Sequence, residues 1–217
     1  MAAADRPACI WVLAGTNGAG KSSVGGAMLR QSGGDYFNPD EAAAVLRARN
    51  SSLGQEDANA LAWNIGLRQL DRAIVDRRDY FFETTLGGRT ISLRLEHALE
   101  IGLDVRMWYA GLESPERHIE RVAARVAAGG HDIPEDTIRK RFDSSLRNLI
   151  RLLPNLTELK VFDNSTPAVL ELDEPPAPRL LLHWRDRQIL APRELRKTPE
   201  WAKPIVAQAI KYAHAAR

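Results

Sequence analysis

Cys9-Ile10-Trp11-Val12-Leu13-Ala14-Gly15-Thr16-Asn17-Gly18-Ala19-Gly20-Lys21-Ser22 is the stretch on which the reading of this chain turns. Residues 8 to 14 form a continuous apolar run ending at a glycine. The run is far too short for a membrane span and suits a strand buried on both faces of a parallel sheet. Gly15 to Ser22 fit the pattern Gly, any four residues, Gly-Lys-Ser/Thr, placed between that strand and a helix from Lys21 onward, the context in which this phosphate loop has a mechanism.

The mechanism is electrostatic. Glycines let successive backbone N–H groups curl around an anion, and the helix N-terminus adds its dipole. Lys21 can neutralise β- and γ-phosphate charge, and the Ser22 hydroxyl is placed to coordinate magnesium. The candidate nucleotide cradle is therefore Gly15, Thr16, Asn17, Gly18, Ala19, Gly20, Lys21, Ser22 and the adjoining Ser23, with Ser22 the metal ligand. The expected ligand is ATP or GTP as its Mg2+ complex, and the chain carries no Asn-Lys-x-Asp guanine signature. The plainer alternative is a glycine-rich turn that merely starts a helix.

Outward from the loop the pattern alternates. Tyr36-Phe37-Asn38-Pro39-Asp40 reads as a short strand running into a helix over roughly 40 to 49, and Trp63, Leu67, Leu70 and Ile74 give one helical face between Glu56 and Arg78. Tyr80-Phe81-Phe82 is the next strand. A helix with Ile91, Leu95 and Leu99 inward leads to a strand over 103 to 109. Ser114-Pro115-Glu116 has the form of a helix N-cap and first turn, with Gly129-Gly130 as the stop. A helix from Pro134 and a strand over 159 to 162 complete an α/β core. After Pro167 the chain reads as Val169 to Leu172, a hairpin of 180 to 184 with 188 to 190, and a closing helix over roughly 200 to 215.

Three groups of side chains beyond the loop can carry chemistry. Asp40 comes after the second strand on the side where open α/β sheets bind ligands, and a carboxylate there can accept the proton of an attacking hydroxyl; Asn38-Pro39-Asp40-Glu41 reads equally as cap and acidic first turn. Glu83, Thr84 and Thr85 end an apolar strand and can meet substrate, or simply cap the turn before the next helix. Arg117, Arg121 and Arg125 recur every four residues, a stacking of like charge that calls for an anion, and Gly129-Gly130-His131 reads as a lid. Arg139, Lys140 and Arg141 read as surface side chains paired with Asp136 and Asp143.

The bulk numbers bound the rest. The 217 residues suit one domain with an extension, and 44% hydrophobic with 27% charged residues is ordinary globular composition. A net charge of +2 is not that of a dedicated nucleic-acid binder. Cys9 is the single cysteine and stands in the apolar run, so it reads as an inert core thiol. Arg6 and Pro7 precede the run and no small-residue cleavage site comes after it, so the chain reads as cytoplasmic with no membrane partner.

These motifs together resemble the zeta-toxin family of P-loop kinases, through the Gly15 to Ser22 loop, Asn38-Pro39-Asp40, Glu83-Thr84-Thr85, and Ile119-Glu120-Arg121 leading to Gly129-Gly130-His131-Asp132-Ile133-Pro134. The resemblance spans roughly residues 8 to 165. It implies a P-loop kinase core over 1–167, with a lid near 114–134 and a parallel sheet flanked by helices; the C-terminal hairpin and helix over 168–217, an extension packed on the core, fall outside the match. It implies ATP as donor, the sugar hydroxyl of UDP-N-acetylglucosamine or a related nucleotide sugar as acceptor, and an antitoxin as a protein partner. By the resemblance Lys21 is the phosphate lysine, Asp40 the general base, Glu83 and Thr85 substrate contacts and Arg121 the transition-state arginine, with Arg125 a further phosphate contact. A second family arginine falls at His131, and the one after the Glu-Thr motif has Arg89 as its nearest counterpart. A regulatory ATPase in which Glu83 orients water, and a kinase acting on nucleic-acid ends, are the competing expectations.

Overall fold

The computed structural model describes residues 6–26, 36–166 and 177–215. The expected strand at Val169 to Leu172 and the Ser23 side chain lie outside the described residues. Five parallel strands come first: β1 (Cys9–Ala14), β2 (Tyr36–Phe37), β3 (Tyr80–Thr84), β4 (Asp104–Gly111) and β5 (Glu158–Asp163). The antiparallel β6 (Arg179–Arg185) and β7 (Gln188–Ala191) extend the same sheet, in the order β2-β3-β1-β4-β5-β6-β7. Asp186 and Arg187, both at positive φ, make the two-residue turn between β6 and β7, the backbone twist that tight hairpins favour.

The helices are α1 (Pro39–Arg49), α2 (Gln55–Val75), α3 (Arg89–Glu100), α4 (Pro115–Ala127), α5 (Glu135–Leu152) and α6 (Lys203–Ala215). Strand residues alternate between two faces. Ile10, Val12 and Ala14 of β1 join one core with Leu70 and Ile74 of α2, Leu95 of α3, Leu149 of α5 and Ile205 of α6. Trp11 and Leu13 face the other side, with Phe81 and Trp108, where the turn at Ser22–Gly26 packs. Cys9 is buried in this strand and burial pushes its thiol up to about 12.

One sequence expectation on α2 is corrected. Trp63 lies on the solvent side of α2, 44% exposed, because the helix buries Ala58 and Ala62 against Ala43 of α1. Gly66, inside the same helix, leaves the space that the Phe37 ring fills: a Cβ there would stand 2.4 Å from Phe37 Cε1. No helix among the described residues is long and apolar enough to cross a membrane.

The topology positions the site. From β1 the chain runs to β2 on one side, and from β3 it runs to β4 on the other, yet β1 and β3 are neighbours with Leu13 beside Glu83 and Ala14 beside Thr84. Adjacent strands whose connections part in this way open a crevice at their carboxyl ends, and ligands of open α/β sheets bind there.

Candidate active site

The loop leaving β1 is drawn tight by its glycines. Gly15, Gly18 and Gly20 have φ of 141°, 81° and 74°, where other residues are strained. A Cβ on Gly15 would lie 2.2 Å from the Ala110 oxygen, and one on Gly18 only 2.7 Å from the His118 oxygen of α4. Ala19 N–H closes a turn onto the Thr16 oxygen at 3.1 Å, and Gly15 N–H is tied to Thr84 of β3 at 3.2 Å. The N–H groups of Gly18 and Gly20 find no partner among the described residues. Both glycines are half-buried, and backbone donors left open along a glycine loop before a helix are where an anion fits.

Lys21 and Glu83 meet beneath this loop, each only 8% exposed, with Nζ 3.5 Å from Oε1. The Tyr36 hydroxyl donates to Glu83 at 2.6 Å, and Asn38 Nδ2 reaches the same oxygen at 3.4 Å. Asn38 caps α1 as the cap reading expects, with Asp40 and Glu41 in the acidic first turn. Its Oδ1 accepts from the N–H groups of Asp40 and Glu41, so Asn38 is the helix cap and the Asp40 carboxylate is not needed for it. Asp40 is half exposed, with Arg125 Nη1 at 3.9 Å and His131 Nε2 at 4.0 Å, separations too wide to lock either partner.

The rest of the arginine stripe separates by task. Arg117 is held by Glu113 and Glu120 at 3.0 and 2.9 Å. Arg121 Nη2 donates to the Asn164 oxygen at 2.6 Å, in the loop after β5 whose Asn164 Nδ2 donates to the Ala19 oxygen at 2.9 Å. Arg125 Nη2 donates to the His131 oxygen at 3.1 Å, folding the Gly129-Gly130 segment back over its own helix. Arg121 and Arg125 therefore lie at different ends of the loop's surroundings. Arg89 is exposed at the start of α3 with no partner among the described residues. Thr84 Oγ1 and Thr85 Oγ1 accept from Leu86 N–H and Gly87 N–H at 3.0 and 3.4 Å, so both hydroxyls shape the turn and keep their own hydrogens to donate.

Three side chains that hold the loop and the turn after β3 escaped the sequence reading. Arg141 of α5 is not a surface residue paired with an acid: its Nη1 donates to Asn17 Oδ1 in the phosphate loop at 2.8 Å, and burial lowers its pKa while the charge of Asp40 acts in opposition. His118 of α4 is 1% exposed, and its Nδ1 donates to the Asn17 oxygen at 2.8 Å. Burial, with Lys21 and Arg121 nearby, lowers that imidazole to about 4, so it is neutral at pH 7. Asn148 of α5, also buried, donates to the Leu86 and Gly88 oxygens and fixes the turn after β3. Ser22 is exposed at the end of the loop, and no cluster of three or more His, Cys, Asp or Glu is set to hold a metal ion among the described residues.

No family model matches the chain. An uncharacterised protein of Haemophilus influenzae is 33% identical over 144 residues, which cover 61% of this chain and 96% of that protein. The chain belongs to the family of that Haemophilus protein. Solved structures give this family its architecture. The AvrRxo1-ORF1:AvrRxo1-ORF2 complex with ATP superposes with a TM-score of 0.63 at 13% identity, over 94% of this chain and 64% of that one. The PezAT chromosomal toxin–antitoxin system of Streptococcus pneumoniae gives 0.56 at 11%, over 99% and 86%. A candidate kinase from Chloroflexus aurantiacus gives 0.50 at 17%, over 63% and 80%. The chain has the P-loop kinase fold, a mixed α/β sheet flanked by helices.

Proposed function

We propose that this protein is an ATP-dependent phosphotransferase acting on the hydroxyl of a small molecule. One observation carries the reading: a glycine loop with open N–H groups leaves β1 at the crevice beside β3, and Arg141, which donates to Asn17 of that loop, also feels the charge of Asp40, a half-exposed carboxylate near Arg125 and His131. Lys21 leaves Glu83 for the β- and γ-phosphates, a lysine being a mobile point charge on a flexible stem. Ser22 is the hydroxyl that takes the magnesium ion carried by the nucleotide, which supplies charge neutralisation. Arg121 and Asn164 hold the donor from the β5 side, while Asp40 accepts the acceptor's proton. Glu83, Thr84, Thr85, Arg89 and His131 form the acceptor's surroundings.

The resemblance to zeta toxins makes a nucleotide sugar, UDP-N-acetylglucosamine first, the acceptor to try. A toxin–antitoxin neighbour makes an antitoxin the partner to seek. The test is incubation with magnesium, labelled ATP and a panel of nucleotide sugars and simple alcohols. Asp40→Ala should bind ATP normally and lose transfer by two orders of magnitude or more, on the order of a general base's contribution. Lys21→Ala should lose both affinity and turnover. Full transfer by Asp40→Ala sinks the base assignment, and ATP consumption indifferent to every acceptor favours a regulatory ATPase.

A further inference from the structure

We propose that Arg141 is the arginine that contacts the phosphoryl group in flight, a role the family resemblance gives to Arg121. The inference rests on the phosphotransferase reading and refines it. Arg121 is committed on the β5 side: its Nη2 is engaged by backbone oxygens of Asn164 and Thr166 in the loop after β5, while its Nη1 lies beside Gly20 at the far end of the phosphate loop. Arg141 is placed otherwise. One donor is fixed on Asn17 Oδ1 of the phosphate loop, its stem lies against Gly87 of the turn after Glu83 and Thr85, and Asp40 is the carboxylate whose charge it feels. The guanidinium thus stands among three elements that converge on the crevice: the loop for the donor, the turn for the acceptor and the carboxylate for the proton.

Its chemistry is unfinished. A guanidinium carries five N–H donors, and among the described residues only Asn17 Oδ1 takes one. A partly desolvated cation without a tight counter-ion is costly unless an anion answers it. In transfer, the bond from the γ-phosphorus to the β–γ bridging oxygen breaks and its electrons leave with ADP. The acceptor oxygen forms the new bond, and its proton passes to Asp40. Charge on the equatorial oxygens is what an arginine fork compensates. Asn17 holds the fork ready without neutralising it, because an amide oxygen carries no net charge.

The test compares Arg141→Gln and Arg141→Lys with the wild-type chain in two measurements that need no identified acceptor. They are equilibrium affinity for magnesium ATP, and the rate of ADP formation at saturating magnesium ATP with water as acceptor. Arg141→Gln should slow turnover on the order of 100-fold while shifting ATP affinity by no more than about threefold, and Arg141→Lys should recover part of the rate. Equal losses of affinity and rate, or an unchanged rate, overturn the proposal. So does a wild-type protein that binds ATP yet never turns it over with water or any acceptor. Absence of ATP binding by the wild type is the separate failure of the phosphotransferase reading. Thermal unfolding of each variant checks folding, and Arg141→Lys carries the comparison where Arg141→Gln does not fold.

Discussion

At the scale of single residues, the buried histidine beside the loop makes the protein sensitive to acid. His118 has a folded pKa near 4 against 6.5 for a free imidazole, so its folded-state pKa is depressed. Above pH 6.5 both states are neutral and the group contributes nothing. As pH falls from there toward 4, the unfolded chain takes up the proton first and stability is lost, by about 2 kcal/mol at pH 5. Urea unfolding of the wild type should show that loss, and His118→Gln should flatten the slope between those limits. Identical slopes would mean that other groups govern the acid response.

At the scale of elements, the turn between β3 and α3 is held from outside. Leu86 is fully buried at φ 54°, an unfavourable backbone for a leucine, and Asn148 of α5 donates to the oxygens on either side of Gly87. Asn148→Ala leaves the Leu86 oxygen without its donor, the Gly88 oxygen keeping Ser92 Oγ, and should cost about 1–3 kcal/mol, read by chemical denaturation, with a larger proportional loss of acceptor turnover. A stability change under about 0.5 kcal/mol would show that water replaces the amide. None of this is visible in the sequence, where Asn148 is one polar residue in an amphipathic helix. The phosphate loop was legible because strand, motif and helix are contiguous. Arg141 and His118 were not, because their partners stand 124 and 101 residues away. A charge on a helix face reads as solvated unless the fold is known. Trp63 failed for the opposite reason: its spacing suits a core, but alanines had already filled that side of α2.

At the scale of the whole molecule, the C-terminal hairpin and α6 continue the sheet and the main core instead of forming a separate body. Trp201 reaches back under the phosphate loop. A Cβ on Gly111, the last residue of β4, would lie 2.4 Å from its Cη2, and Tyr109 packs against it at 6.4 Å between ring centroids. Trp201→Ala should cost about 3–5 kcal/mol, measured by denaturant unfolding, and lower the affinity for magnesium ATP because Ala110 supports Gly15. Unchanged affinity in a folded variant would show that the C-terminal part only adds stability.

Asn17 is gripped twice, by α4 at its backbone oxygen and by α5 at its side chain. A hinge movement of that helical pair therefore drags the phosphate loop with it, and filling the loop must steady the pair. Thermodynamic reciprocity then gives a quantitative consequence: a protein that clasps the outer surface of α4 and α5 changes nucleotide affinity by the same factor by which nucleotide changes its own grip.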